Sequence, residues 1–277
     1  MLDRLKDILG TTVKKEGLPA RLPVVPPFAS TEPETAPERI HKPGRIRTDI
    51  DHTGHMRVIA HNDADAKALG TATLQATREK KTVVYGEDIV SAYLADFACL
   101  KFITITGNSD TLCSFPFFNM GTPADARITE IIECKNGYEG QLGVYVKGSV
   151  INFFDALYFK NRNTYFPGKD ARVLISGIAY VLTKKRAGKT VPEPADSDLA
   201  FHYDNGDVDD YVFRGKVLDV KEYRVLDKRV QVIKVAFRTG ADSVLDLYVC
   251  VTANALRETI VPGDHVSGIL WLQGFVV

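Results

Sequence analysis

The sequence predicts a mainly β protein, with a smaller α-helical region towards its N-terminus and two tandem copies of one small barrel pattern in its C-terminal half. Three observations carry this. From Ala126 onward the apolar patterning is that of strands alone. One order of strands and turns occurs twice. Both copies introduce their last strand with the same pair of residues, Pro167-Gly168 and Pro262-Gly263.

At 277 residues the chain suits two or three domains. A hydrophobic fraction of 45% and a charged fraction of 25% are ordinary for a globular protein and allow a sizeable core. Lys plus Arg and Asp plus Glu both number 35, so the formal net charge is zero. Proteins that coat phosphate backbones without sequence preference usually carry a basic excess, so any nucleic-acid site here must be a local patch. Cys99, Cys113, Cys134 and Cys250 form no CxxC pair and lie in apolar stretches, as buried free thiols do. The segment Met1-Leu2-Asp3-Arg4-Leu5-Lys6 has no apolar signal core, and no window reaches the roughly twenty apolar residues of a membrane span. A reduced, cytoplasmic protein without a cofactor is expected.

The elements follow in chain order. Leu2, Leu5, Ile8 and Leu9 share one face of a short N-terminal helix, and residues 17–47 form a Pro-rich extended arm, so residues 1–50 read as helix plus arm. Residues 51–124 read as a helical region with a β-hairpin. A helix is predicted over 62–78, capped by Asn62 or Asp63. A second is predicted from Glu87, because Ile89, Val90, Tyr93, Leu94 and Phe97 have the spacing of one buried helical face. Leu100–Thr106 and Thr111–Phe118 then read as two strands around the turn Gly107-Asn108-Ser109-Asp110.

The first barrel is placed at 125–183. Strands over Ile128–Cys134, Gln141–Val146 and Val150–Phe154 are punctuated by Asn136-Gly137 and Lys147-Gly148, and a long apolar run covers Ala171–Leu182. Residues 184–210 read as a linker, basic at Lys184-Lys185-Arg186 and acidic at Asp204, Asp207, Asp209 and Asp210, whose carboxylates are expected in solvent. The second barrel is placed at 211–277, with strands over Phe213–Val225 and Val230–Phe237.

Internal similarity is the most specific signal. Ser149-Val150-Ile151-Asn152-Phe153-Phe154 matches Ser243-Val244-Leu245-Asp246-Leu247-Tyr248 in character at every position. After a one-residue slip the Pro-Gly pairs align, and both copies run on to Ala179-Tyr180-Val181-Leu182 and Gly274-Phe275-Val276-Val277. Each copy is three strands, a short helical connection (Ala253–Glu258 in the second) and a fourth strand. This order resembles the OB-fold, a five-stranded Greek-key barrel with a helix between its third and fourth strands. The resemblance covers roughly half the chain and names a superfamily, no narrower family. The fifth strand is missing at Val277. Either Gly274 breaks the last run into two strands, or an upstream strand such as Leu100–Thr106 closes a barrel.

The resemblance implies a binding face on the second and third strands, where OB-folds hold oligonucleotides or oligosaccharides. Single strands are held by cations along the backbone and aromatic rings under the bases. Tyr158, Lys160 and Arg162 (with Tyr165) in the first copy, and Tyr223, Arg224, Lys228, Arg229 and Arg238 (with Lys234) in the second, are the candidates. His52, His55 and His61, with Asp63 and Asp65, match no established metal-ligand spacing, and a polar loop before a helix cap explains them. There is no G-x-S-x-G, Walker-type loop or HExxH. The two leading readings are a non-catalytic protein binding single-stranded nucleic acid, and a protein-interaction or assembly module, including a homo-oligomer, that buries Phe117, Phe118, Phe159, Trp271 and Phe275 against a partner. A metal enzyme using the histidine segment is a third.

Overall fold

The computed structural model describes residues 34–36, 45–48, His55, 58–184 and 199–277, apart from residues 61, 77–78, 86–87, 108–109, 205, 226–227, 240–243 and 256–257. Its elements are β1 (Glu34–Ala36), β2 (Arg45–Thr48), α1 (Asp63–Ala76), β3 (Glu79–Tyr85), β4 (Asp88–Phe97), β5 (Leu100–Gly107), β6 (Asp110–Phe117), β7 (Ala124–Cys134), β8 (Gly140–Val146), β9 (Ser149–Asp155), α2 (Tyr158–Asn161) with a 3-10 turn over Arg162–Thr164, β10 (Asp170–Lys184), β11 (Leu199–His202), β12 (Asp210–Val225), β13 (Lys228–Arg238), β14 (Val244–Thr252) and β15 (His265–Val276). The protein is mainly β, as the sequence predicts. The predicted helix over residues 2–9 lies outside the described residues.

Strands β7, β8 and β9 form an antiparallel meander, and β10 returns to pair with β7. The strand between β10 and β9 is β15, antiparallel to β10 and parallel to β9. The second copy repeats this: β12, β13 and β14 form the meander, β15 returns to β12, and β10 lies antiparallel to β15 and parallel to β14. This is OB-type strand order in both copies. Each copy's fourth strand is the other's fifth. Both sequence-based explanations of the missing strand are thereby corrected: Gly274 lies within β15, and Leu100–Thr106 belongs to a different sheet.

The two copies are related by an approximate two-fold axis. Gly177 pairs with Leu272, and these are sister positions, separated by the same interval as Gly168 and Gly263. The pairs Ser176–Gln273 and Ile178–Trp271 exchange about that centre. Both first strands also slip register at the same point, between Ile128 and Glu130 in β7 and between Val217 and Asp219 in β12. A shared strand is covered on both faces, which explains the unbroken apolar run: Val173 to Ala179 are all buried. Of the helical connection expected over Ala253–Glu258, Ala253–Ala255 form a turn, and residues 256–257 lie outside the described residues.

Upstream, β3 to β6 form an antiparallel meander with β1 on the outer side of β3, and α1 packs on β4 and β5. The predicted helix from Glu87 is the strand β4. Its spacing suits a helix face, but Val90, Ala92, Leu94, Ala95 and Phe97 are all buried. A strand covered on both sides loses its period of two, and its β-branched and aromatic content then decides. The partner strand β3 was not recognised in the sequence. Residues 199–202, assigned to the linker, form β11 on the edge of β12.

This sheet docks against the barrels. Phe115 meets Phe154 edge-on at 4.8 Å between centroids, and Phe117 meets Phe275 at 5.5 Å. Fully burying each such ring contributes roughly 1.5–3 kcal/mol. The Gln273 amide accepts from Phe118 N at 3.1 Å and donates to Pro116 O at 2.7 Å, so the shared ribbon holds the chain as it leaves β6. Phe117, Phe118, Phe159, Trp271 and Phe275, offered above as partner contacts, are interior residues.

Two predictions follow from this packing. A Cβ at Gly268, where β15 crosses from β10 to β12, would stand 2.2 Å from Val181 O. Gly268→Ala should therefore lower stability by about 3 kcal/mol in urea unfolding, and both barrels should still melt in one transition because they share strands. Asp155 is fully buried and accepts from Leu157 N at 3.0 Å and Tyr165 Oη at 2.6 Å. Burial lifts its carboxyl to about 7, against the opposing pull of those bonds. The fold keeps this acid neutral where the unfolded chain ionises it, so its contribution is full below about pH 4 and declines as pH rises through about 7. Asp155→Asn should flatten the decline of urea midpoint between those pH values; an identical slope in both proteins would refute the assignment.

Candidate nucleic-acid interface

The first barrel's predicted residues divide sharply. Tyr158 has no exposed surface, and Arg162 is 3% exposed. Tyr158 Oη donates to Glu133 Oε2 at 3.0 Å, and Arg45 Nη1 reaches the same oxygen at 2.8 Å. Arg45 also bonds to the Arg162 carbonyl, and the Arg162 guanidinium to the Gly137 carbonyl. Arg45 belongs to β2, which adds in parallel to β7 with Arg45 opposite Ile131 and Thr48 opposite Cys134. These residues are brought together, but as an internal clamp holding the arm on the barrel edge. Burial and the Glu133 carboxylate push the Tyr158 hydroxyl up, so it stays a donor. Tyr165 is likewise interior, on Asp155. Lys160 is half-buried on α2.

In the second barrel, Tyr223, Arg224, Lys228 and Arg229 do assemble at the β12–β13 hairpin, where Arg224 faces Arg229 and Val225 faces Lys228. Arg224 and Arg229 are exposed, and Arg229 is engaged by Glu222. Lys228 Nζ donates to Ile59 O at 3.2 Å, and half-buried Tyr223 packs on the core beside the upstream sheet. Lys234 lies opposite Tyr248 and is paired with Asp246 at 2.7 Å; both Lys234 and Arg238 are half-buried.

Much of the face formed by the second and third strands is covered in both copies. In the first, Asn152 N donates to Tyr211 Oη from the other barrel, and Phe154 lies under Phe115. In the second, Val230, Val232 and Cys250 share a core with Leu100 and Val58. The outer end of the first barrel is open. There Val150, Tyr145, Arg127 and Asp170 form one row across four strands. Tyr145 is 51% exposed and Val150 is 54% exposed. A second row holds Lys147, Asp125 and Arg172, and these three with Tyr145, Arg127 and Asp170 line an open cleft of about 670 Å³. Lys147 (φ 51) and Gly148 (φ 88) make a left-handed two-residue turn, which needs the glycine and sets Lys147 in solvent. Nearby, exposed Phe166 has Lys169 Nζ 6.0 Å from its ring centre.

Arg127 pairs with Asp170 at 2.8 Å and Arg172 with Asp125 at 3.7 Å. Such exposed pairs hold little energy and leave guanidinium donors for an incoming anion. The arrangement therefore offers a ring for stacking beside cations for phosphate. Sequence reasoning missed these residues, though the signal was present. Tyr145 lies between buried Val144 and Val146, and Arg127 between Ala126 and Ile128, so strict alternation already points both outward.

His55 lies with its ring 4.1 Å from Trp271 and 5.9 Å from Tyr180; His52 and His61 are outside the described residues. Asp209 and Asp210, expected in solvent, are buried: Trp271 Nε1 donates to Asp209 at 3.0 Å and Tyr180 Oη to Asp210 at 2.9 Å. They pin the start of β12 to the shared ribbon. Among the described residues no three His, Cys, Asp or Glu side chains cluster to hold a metal, and no helix is long and apolar enough to cross a membrane.

No family model matches the sequence, and no curated protein does. Among solved structures, the cytoplasmic molybdate-binding protein ModG with molybdate bound aligns over 55% of this chain and 94% of its own, at 11% identity and a TM-score of 0.30, too distant to bear on function.

The clamp yields a test. Arg45→Ala leaves the Glu133 carboxylate without its nearest cation in a buried site, which should cost about 3–5 kcal/mol by chemical denaturation. Loss under 1 kcal/mol would mean that the arm contributes little to the barrel.

Proposed function

We propose that this is a non-catalytic binding protein whose paired OB-type barrels hold single-stranded nucleic acid, with the outer end of the first barrel as the contact. The observation that carries the reading is the cross-strand row Val150, Tyr145, Arg127, flanked by Lys147 and Arg172. Base stacking on an exposed ring tolerates any sequence, and cations track the backbone. The formal net charge of zero fits a confined patch better than a protein coated along its length.

A second reading, assembly through protein contacts, is favoured by one observation. The arm strand β2 is held by strand addition to β7, which is also how extended segments of partner chains are captured. Light scattering over a wide concentration range separates the two; a strictly monomeric mass counts against self-assembly.

The nucleic-acid reading predicts that labelled oligonucleotides bind with an affinity that falls steeply with salt. Tyr145→Ala should cost about 1–3 kcal/mol of binding. Lys147→Ala should lower the slope of log affinity against log salt by about 0.7. No binding in low salt, measured by fluorescence anisotropy, would rule the reading out.

A further inference from the structure

The two-fold relation between the barrels assigns a counterpart to every residue of the first barrel's patch, and we infer that the counterpart surface is a second, phosphate-gripping site. This inference rests on the nucleic-acid reading of the first site. Arg127 stands one residue before Ile128, at the β7 register slip, and Lys216 one residue before Val217, at the β12 slip. Arg127 pairs with Asp170, two residues after Gly168; Lys216 pairs with His265, two residues after Gly263. Asp125 pairs with Arg172 in the first barrel, and Arg214 with Ser267 in the second. Lys147 turns the β8–β9 hairpin, and Arg238 closes the β13–β14 hairpin opposite Val244.

The charges are redistributed: Arg214 is gained where Arg172 gives way to Ser267. Both acids of the first patch, Asp125 and Asp170, are replaced, by Arg214 and His265. Tyr145 is replaced by Ala236, which lies beside Gly215, whose Cβ would stand 2.9 Å from Ala236 O. Arg214, Lys216 and His265 are exposed, and inward-facing Phe213, Val217 and Val266 hold their strands in place. The nearest carboxylate in sequence, Asp264, is paired with Lys184 at 2.7 Å. The second surface thus keeps three formal cations, Arg214, Lys216 and Arg238, sheds both acids of the first patch and loses the ring, while Asp246, which stands where the first barrel has Val150, is paired with Lys234: it suits phosphates, whereas the first suits bases. The patches lie at opposite ends of the shared β10–β15 ribbon. Register pairs from Val173–Val276 to Lys184–Val266 span roughly 35–40 Å at about 3.3 Å per residue. A strand long enough to bridge them gains from effective concentration.

The test uses the full chain with oligothymidylates of about 6 and about 30 nucleotides, lengths below and above what one barrel occupies. The short probe should bind two per chain, and the long one should bind about a hundredfold tighter. Arg214→Ala with Lys216→Ala should leave one short probe per chain and remove most of the long probe's advantage, while Tyr145→Ala should weaken the other site alone. Lys216→Glu should give the same loss, with an unchanged melting temperature reporting an intact fold. One short probe per chain, together with undiminished long-probe binding in the double variant, overturns the second site and leaves the first reading standing. No binding of either probe overturns both.

Discussion

The fold depends on the antiparallel pairing of β10 with β15. Each of these strands completes the barrel of the other copy, so neither barrel has a full set of strands within its own segment of chain. Hydrogen-bond requirements make this binding: the edges of β9 and β14 would otherwise expose unpaired backbone groups beside an apolar interior. The close approach at Gly268 and the buried side chains of Trp271, Leu272 and Gln273 all serve this ribbon.

The ribbon also fixes what the surface can offer. Its outer face is taken by the upstream sheet, through Gln273 and the edge-on pair of Phe275 with Phe117, with Phe154 of the neighbouring β9 meeting Phe115 alongside. That docking covers much of the face on which isolated OB barrels present ligand sites. The open surface is pushed to the barrel ends, where strands fray into turns and side chains alternate cleanly between core and solvent. The location of Tyr145, Arg127 and Lys147 is thus a consequence of packing elsewhere.

The barrel pattern was legible because strands with one solvated face keep period two and because Pro-Gly pairs mark the return strands. The repeat was legible for the same reason, although its match on the third strand was two residues out: the ladders make Ile151 and Leu247, and Phe154 and Cys250, the sister positions. What was not legible was non-local. Leu100–Thr106 and Gly274 were weighed as sources of a fifth strand because sequence reading works along the chain, whereas the donor lies in the other copy. β4 passed for a helix because both of its faces are covered. Tyr158 and Arg162 looked like ligand contacts because interleaved aromatics and cations read alike on a surface and in an internal clamp; only Glu133 and Arg45, distant in sequence, distinguish the two. Asp209 and Asp210 looked solvated because nothing nearby announces Trp271 or Tyr180 as partners.

Reciprocal strand exchange bears on ancestry. A single copy of the repeat has four strands and an open seam, while two identical copies can close one another about a two-fold axis. The unit that was duplicated would then have worked as an intertwined homodimer, and gene fusion would have turned a subunit interface into the interior of one chain. On that history the divergence between the halves, with Tyr145 and Asp170 on one side and Ala236 and His265 on the other, is what fusion permits: two surfaces once forced to be identical became free to differ.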